Sequence, residues 1–294
     1  PAAGDRRQAK DQVQAIARHR DVVNISRASR HMQRGRVVGS VVGGLLTGQL
    51  LSRTVSGVLG ANLGWRAIYF IAAAALSILG VVLWRFLPRT AAGEKMRYSA
   101  LLLSMASLIR HQPVLRESCV FGSMTFAAFA AFWMTLAFHL ESPALGHGSD
   151  VAGLMGLLAL VGALAAGSVG RLTDRFSART IVGLFLVLTL GSFGWLYFTG
   201  LSLLGLGIGV VLMDLGVQAV HVGSQSRVYS LIPEARNRLG TIYIVTYFAG
   251  GAVGSAAGVW GWTHYGWLGV CGSGAAFALT ATLWFIVGRR RQPK

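Results

Sequence analysis

The stretch FAGGAVGSAAG, from Phe248 to Gly258, decides the fold of this chain. It places a glycine at every fourth position, at Gly250, Gly254 and Gly258, and it contains no charged residue. Small residues at this spacing share one helix face and let two helix backbones approach closely, which is how helices pack inside a bilayer. The stretch therefore predicts a membrane-spanning helix in close contact with a second helix.

The composition extends this prediction to the whole chain. Of the 294 residues, 53% are apolar and only 13% are charged, whereas about a quarter of the residues of a soluble domain are charged. Apolar runs of about 20 residues indicate transmembrane helices, and eight such runs lie at approximately 36–61, 66–87, 118–140, 149–170, 180–199, 201–225, 240–262 and 266–288. The predicted fold class is an all-α integral membrane bundle with eight transmembrane helices.

The formal net charge of +17 is unevenly placed along the chain. All of the 27 Lys and Arg except Arg53 and Arg66 lie at the termini, in alternate gaps between the predicted spans, or at the span ends that border those gaps. Basic residues concentrate on the cytoplasmic side of a membrane protein. We therefore expect a multi-pass protein of the plasma membrane with both termini in the cytoplasm. The same placement argues against a nucleic-acid partner, which would need a continuous basic patch.

An internal repeat organises the spans. Residues 34–65 run from two arginines through an apolar span to a Gly-Trp pair, and residues 236–267 do the same 202 positions later. Each copy continues into another apolar span with a basic end, so both copies are two-helix hairpins in parallel orientation. Parallel repeats are one of the transporter architectures. Because the second copy closes a six-helix unit, the symmetry predicts four further helices before residue 34.

These observations predict that the chain consists of five parts. They are a basic and disordered cytoplasmic leader at 1–33, the last two helices of a first six-helix bundle at 34–88, a cytoplasmic linker with an amphipathic segment at 89–116, a complete second six-helix bundle at 117–288, and a basic cytoplasmic tail at 289–294.

A polar stripe interrupts the apolar run at 201–225. Its members have spacings of four, three and four, and they are Asp214, Gln218, His221 and Gln225. At 100° per residue they fall within a sector of about 60°, so the stripe cannot face lipid. One interpretation is a proton-coupling and substrate site, in which Asp214 takes up and releases a proton near neutral pH and His221 relays or shares it. The other is a hydrogen-bonding stripe that joins helices around a neutral aspartic acid.

The first predicted span carries two further candidate sets. Gln49 and Arg53 share one helix face, and Arg53 either lines the substrate cavity or extends to the outer membrane surface. Gly44 and Gly48 belong to a glycine stripe like that at 250–258, and such stripes are either static packing or a sliding contact between two halves. Aromatic residues of the third span either line a cavity for flat apolar substrates or serve lipid contact and packing. They are Phe121, Phe126, Phe129, Phe132, Trp133 and Phe138.

Three stretches of the chain resemble one family. They are GSVVGGLLTGQLLSRTVSG at 39–57, GRLTDRFSAR at 170–179, and PEARNR at 233–238 followed by the stretch at 248–258. In these the chain resembles the major facilitator superfamily, specifically its bacterial twelve-helix drug:proton antiporter branch, from the fifth helix to the end. The resemblance implies an inner-membrane location and a contact between the two halves at the fifth and eleventh helices.

The second of these stretches is similar to the cytoplasmic loop motif of that family. Its motif positions are Gly170, Arg171, Asp174, Arg175 and Arg179. By resemblance, the Asp174 carboxylate forms a latch that closes one face of the transporter, by accepting from free helix N–H groups and pairing with arginine. The alternative is a basic cytoplasmic loop with one neutralising carboxylate.

The predicted function is proton-coupled secondary transport of the drug or small-molecule efflux type, by alternating access. The partners are a small-molecule substrate, protons and the lipid bilayer, and a monomer is expected. One alternative is a non-transporting remnant of such a transporter, and a distant one is an integral-membrane enzyme. The two cysteines, Cys119 and Cys271, form no metal-ligand spacing, so neither a metal nor another cofactor is expected.

Overall fold

The computed structural model describes residues 63–86, 98–148, 151–158 and 177–289, together with Gly48, Val55 and Leu59. The elements in these ranges are α1 (Trp65–Phe86), α2 (Tyr98–His111), α3 (Pro113–Leu140), a helical segment at 151–158, α4 (Ala178–Thr199), α5 (Leu203–Tyr229), a 3₁₀ turn (Pro233–Ala235) and α6 (Arg236–Arg289). The chain divides into two units between Ala74 and Ala75.

The predicted all-α membrane fold is confirmed. Within the described ranges, five helices are long and apolar enough to cross a membrane. They coincide with six of the eight predicted spans, because α6 contains two. The other two spans, 36–61 and 149–170, lie mostly outside the described residues, although Gly48, Val55, Leu59 and 151–158 are helical there.

α3 begins five residues before its predicted span. Gln112 has an extended backbone with φ −109° and ψ 93°, and Pro113 occupies the first turn of the helix. A proline disfavours helical geometry in the residue before it and is well tolerated at the first helical position. The sequence Gln112-Pro113 therefore ends α2, the helix found in the predicted amphipathic linker segment, and starts the first long helix of the predicted second bundle.

α6 is bent at Gly266, which has φ 58° and ψ −140°. This conformation lies outside the helical region and is accessible mainly to glycine. It separates a first arm, residues 236–265, from a second arm, residues 267–289. The bend lies at the first residue of the predicted span 266–288, at the Gly-Trp pair that ends the second repeat.

The helices of the second unit alternate in direction between two ends. Arg179 and Arg227 lie at one end, near the start of α3, and we name this the basic end. His139 and Gly200 meet at the opposite end, which we name the far end. This alternation is the arrangement that the charge pattern predicts for consecutive spans.

Close backbone contact joins the first arm of α6 to α3. A Cβ atom at Gly250, Gly254 or Gly258 would lie less than 3 Å from backbone atoms of α3, at Ser123, Ala127 and Ala131 respectively. Glycine is required at these positions because any larger side chain would push the two helices apart. The glycine stripe thus packs one helix against another inside the second unit.

The surfaces of the helices are apolar. On α1, Phe70 and Trp84 are 76% and 79% exposed, and on α4 Phe198 is 83% exposed. Large apolar side chains exposed on this scale are unfavourable in water. They suit a hydrocarbon environment, in which helices satisfy their own backbone hydrogen bonds.

Candidate functional site

The polar stripe lies on α5. Asp214 is 3% exposed, whereas Gln218, His221 and Gln225 are half-buried. The structure therefore places all four side chains along one side of the helix, on the border between its buried and exposed faces. Val222, which is 39% exposed, marks the neighbouring exposed face. A carboxylate at the centre of an apolar helix is costly, so such residues face protein or a wet cavity.

His221 is held by a tyrosine from α6. The Tyr243 hydroxyl lies 3.1 Å from His221 Nδ1 and 3.3 Å from the His221 carbonyl oxygen. Tyr243 is fully buried, and Gly122 of α3 leaves room for its hydroxyl, since a Cβ there would lie 2.7 Å from that oxygen. Three helices thus fix the position of this hydroxyl.

An aromatic wall continues from the stripe towards α3. The Tyr247 ring lies 4.4 Å from the His221 ring and stacks on Phe126 with a centroid distance of 4.1 Å. Phe129 and Trp133 extend the series along α3, with successive centroid distances of 5.6 and 6.0 Å. We name these four residues, Phe126, Phe129, Trp133 and Tyr247, the aromatic wall.

The aromatic wall and the carboxylate of the stripe are close to each other. Tyr247 is 8% exposed and interacts electrostatically with Asp214. Phe126, Phe129 and Trp133 are half-buried. The arrangement combines one acidic group, one imidazole and a series of aromatic rings, which is the composition of a small-molecule site: mostly apolar, with a few placed polar groups.

A buried charge cluster occupies the basic end, and the sequence analysis missed its central residue, Glu117. Arg179 Nη2 donates to Glu117 Oε1 at 2.7 Å, and Arg227 Nη2 donates to Glu117 Oε2. Arg179 also donates to the Phe285 carbonyl oxygen at 3.3 Å. The Glu117 carboxylate therefore connects α3 to α4 and α5. Through its hydrogen bond to Phe285, Arg179 also connects this cluster to the second arm of α6. The sequence signal that could have identified Glu117 was its position as a single acidic residue directly before the predicted span 118–140.

A second buried cluster lies at the far end. His139, which is 2% exposed, donates from Nε2 to the Gly200 carbonyl oxygen at 2.8 Å. Its ring stacks on Trp267 at 3.7 Å, and the Trp267 indole donates to the Leu196 carbonyl oxygen at 3.0 Å. These contacts connect the end of α3, the loop between α4 and α5, and the bend of α6.

The remaining predicted site residues divide into two sets. Gly48 is helical and exposed, with no atom within 4 Å of the position its Cβ would take. Other candidates fall outside the described residues, and these are Gly44, Gln49, Arg53, Gly170, Arg171, Asp174 and Arg175. Of the predicted loop motif, only Arg179 is described, and it belongs to the charge cluster. Within the described ranges, no three His, Cys, Asp or Glu side chains form a group able to hold a metal ion.

These features define a multi-pass helical membrane protein with a polar stripe on α5. The sequence model of the Major Facilitator Superfamily matches residues 22–254. The chain belongs to the major facilitator superfamily. Membership in this family favours a transporter over an enzyme.

Relatives with similar sequences are named as transporters. The chain is 38% identical over 261 residues to the "Putative uncharacterized transporter YgaY" of Escherichia coli strain K12, covering 88% of this chain and 66% of that protein. It is 32% identical to the "Probable transporter SCO4007" of Streptomyces coelicolor, covering 87% and 58% of the two chains. It is 23% identical to the "Uncharacterized MFS-type transporter YybF" of Bacillus subtilis, covering 85% and 61%. The chain thus spans less than two thirds of the length of these relatives.

Proposed function

We propose that the chain is part of a proton-coupled secondary transporter that exports small molecules by alternating access. The observation that carries the proposal is Asp214, a carboxylate 3% exposed on a transmembrane helix, beside half-buried polar residues on the same face. The location is the bacterial inner membrane, with the basic end facing the cytoplasm.

The coupling follows from the cost of a buried charge. An ionised carboxylate in a site of low polarity is stabilised by a proton or by a polar or cationic substrate group. If both compete for Asp214, binding of one releases the other, and the proton gradient drives efflux. His221 shares the polar stripe and is the second titratable group of the site.

The aromatic wall suggests the kind of substrate. Its rings present stacked and edge surfaces beside an acidic group, so the site suits flat apolar molecules with a polar substituent. This composition agrees with a drug-efflux function better than with transport of sugars, which require many hydrogen-bonding groups.

Alternating access requires two bundles that move around one site. The 202-residue repeat supports this arrangement, because residues 34–65 and 236–267 carry the same sequence pattern and are each followed by a second apolar run. The Gln49 and Arg53 pair would then contribute to the wall that faces the stripe.

The proposal is tested in everted membrane vesicles with a fluorescent probe of internal acidity. Cells express the chain alone or together with its upstream coding sequence, and vesicles are acidified by respiration before an aromatic drug is added. The wild-type protein should release protons when the drug is added. Asp214→Asn, present at the same level in the membrane, should not release them. Glu234→Gln is the matched control, because Glu234 is exposed at the basic end.

Two outcomes would contradict the proposal. Drug-dependent proton release by Asp214→Asn at the wild-type rate would remove Asp214 from the coupling step. Drug transport by the wild type that is unaffected by collapse of the proton gradient would remove proton coupling altogether. A chain that transports only with its upstream sequence would place the complete site across both bundles.

A further inference from the structure

The Tyr243 hydroxyl determines which nitrogen of His221 carries hydrogen. A phenolic oxygen has one hydrogen to donate and lone pairs with which to accept. Of its two partners on His221, the carbonyl oxygen at 3.3 Å can only accept, so the hydroxyl hydrogen belongs there. Nδ1 at 3.1 Å is then satisfied only if it carries hydrogen and donates to the phenolic oxygen. This assignment satisfies both contacts at once.

The opposite assignment leaves one contact unfavourable. If the hydroxyl donated to Nδ1, the phenolic oxygen and the His221 carbonyl oxygen would face each other with lone pairs only. The hydroxyl is fully buried between three helices, and Gly122 fixes its place. Two acceptor oxygens 3.3 Å apart with no hydrogen between them repel each other. The contacts therefore favour the Nδ1–H form of the imidazole.

We propose that Tyr243 is a positioning residue that holds His221 as the Nδ1–H tautomer, so that Nε2 is the atom that takes up the transported proton. This inference rests on the proposed function. A proton from water binds the Nε2 lone pair and forms the imidazolium, while Nδ1–H continues to donate to Tyr243. The proton later leaves from Nε2 to water, which restores the same tautomer.

The distance to Asp214 requires water between the two groups. Seven residues of α-helix rise about 10.5 Å, too far for direct transfer between Asp214 and His221. The Gln218 side chain lies between them on the same face. Proton exchange between the carboxylate and Nε2 therefore passes through water molecules between them.

The other groups around the imidazole favour its charged form or are neutral. Tyr247 of α6 places its ring 4.4 Å from the imidazole ring, and an aromatic face attracts a cation. Cys119 of α3 lies near Tyr243 and Asp214 near Tyr247, so Asp214 is the one acidic group among these neighbours.

The inference is tested by nitrogen NMR of the full chain in lipid nanodiscs, with ¹⁵N-labelled histidine and the His221 signals assigned by a His221→Gln variant. We expect the wild type to show an unprotonated Nε2 and a protonated Nδ1. Tyr243→Phe should shift His221 towards the Nε2–H form, since the phenylalanine ring fills the same space without the hydroxyl. Tyr265→Phe is the control, because Tyr265 is 61% exposed and distant from the site.

Transport measurements distinguish a positioning role of Tyr243 from a purely structural role. General acid-base groups contribute about a hundredfold or more to proton transfer, so Tyr243→Phe should slow proton-coupled efflux by roughly tenfold or more. Substrate exchange without net proton movement should keep the wild-type rate. A loss of both activities to the same extent would indicate a purely structural role.

The two proposals can fail separately. A wild-type His221 in the Nε2–H form, or signals unchanged by Tyr243→Phe, would overturn this inference whatever the transport results. Persistent coupling in Asp214→Asn would instead overturn the proposed function, and the tautomer measurement would still stand.

Discussion

Gly64 and Gly266, 202 residues apart, both have positive φ angles, of 80° and 58°. Each is followed by a tryptophan and by a second apolar helix. The glycines of the sequence repeat therefore share a left-handed backbone conformation. A residue with a Cβ atom is strained at these angles, which explains why both positions are glycine. Gly266 is where α6 turns from its first arm to its second, and Gly64 lies directly before α1.

The first prediction concerns this turn. Gly266→Ala should destabilise the second bundle by about 1 to 3 kcal/mol, the cost of a side chain in a sparsely populated backbone region. Thermal unfolding of the purified protein measures the loss. The control is Gly272→Ala on the same helix. A Cβ atom added at Gly272 would have no atom within 4 Å, and the φ angle of Gly272 is not positive. That variant should be as stable as the wild type or slightly more stable. Equal stability of the two variants would contradict the argument from strain.

The second prediction concerns the contact between α3 and the first arm of α6. Gly254→Ala places a methyl group less than 3 Å from the Ala127 backbone. Because backbone cannot move aside as a side chain can, we expect a loss of about 1 to 3 kcal/mol or more from overpacking. Denaturant unfolding in detergent measures it. Gly191→Ala, on an open face of α4, is the control and should change stability little.

The sequence was sufficient for the fold because its signals are local. Apolar runs, alternating basic gaps and the Gly-Trp repeat each depend on neighbours in the chain, and they predicted the long helices and the bend at Gly266. The polar stripe was also predictable, since Asp214 and His221 belong to one helix and their relative angle follows from helix geometry.

Contacts between distant segments could not be predicted in the same way. Glu117 meets Arg179 and Arg227 at separations of 62 and 110 residues. Tyr243 meets His221 across two helices whose rotation about their axes is set by packing. The glycine stripe predicted close packing, but its partner, α3, follows only from the three-dimensional arrangement.

The third prediction concerns the aromatic wall and depends on the proposed function. Phe126→Leu removes the ring that stacks between Tyr247 and Phe129. An aromatic pair contributes about 0.5 to 1.5 kcal/mol beyond its buried area, so the KM for an aromatic drug should rise about two- to tenfold. Transport kinetics in vesicles measure the change. Phe138→Leu is the control on the same helix, because Phe138 is 49% exposed. An unchanged KM in Phe126→Leu would remove the wall from the substrate site.

The fourth prediction concerns the far end. Trp267→Phe keeps a ring beside His139 but removes the indole hydrogen bond to Leu196. A buried neutral hydrogen bond contributes about 1 kcal/mol, and some stacking area is lost as well. We expect a lower unfolding temperature than for Trp284→Phe, whose side chain is 50% exposed on the second arm. If both variants unfold at the same temperature, the His139 cluster does not stabilise the far end.

The last prediction concerns the charge cluster at the basic end. Glu117→Gln keeps the shape of the side chain but leaves two buried guanidinium groups without a counter-charge. The side chains of Glu117 and Arg227 are 8% and 9% exposed, so water screens this loss only weakly. Removing one partner of a buried ion pair costs about 3 to 5 kcal/mol, mostly because a charge is left unpaired. Denaturant unfolding should show a loss of this order.

Two further variants separate loss of charge from loss of shape. Glu141→Gln, at the exposed far end of α3, should change stability by less than about 0.5 kcal/mol. Adding Arg227→Gln to Glu117→Gln should recover part of the lost stability, because one of the unpaired charges is removed with its partner. Arg227→Gln alone completes the double-mutant cycle, and a loss in the double variant that is smaller than the sum of the two single losses is the signature of a direct interaction. Simple additivity of the two substitutions would mean that Glu117 and Arg227 do not stabilise each other, and that Arg179 alone holds the carboxylate.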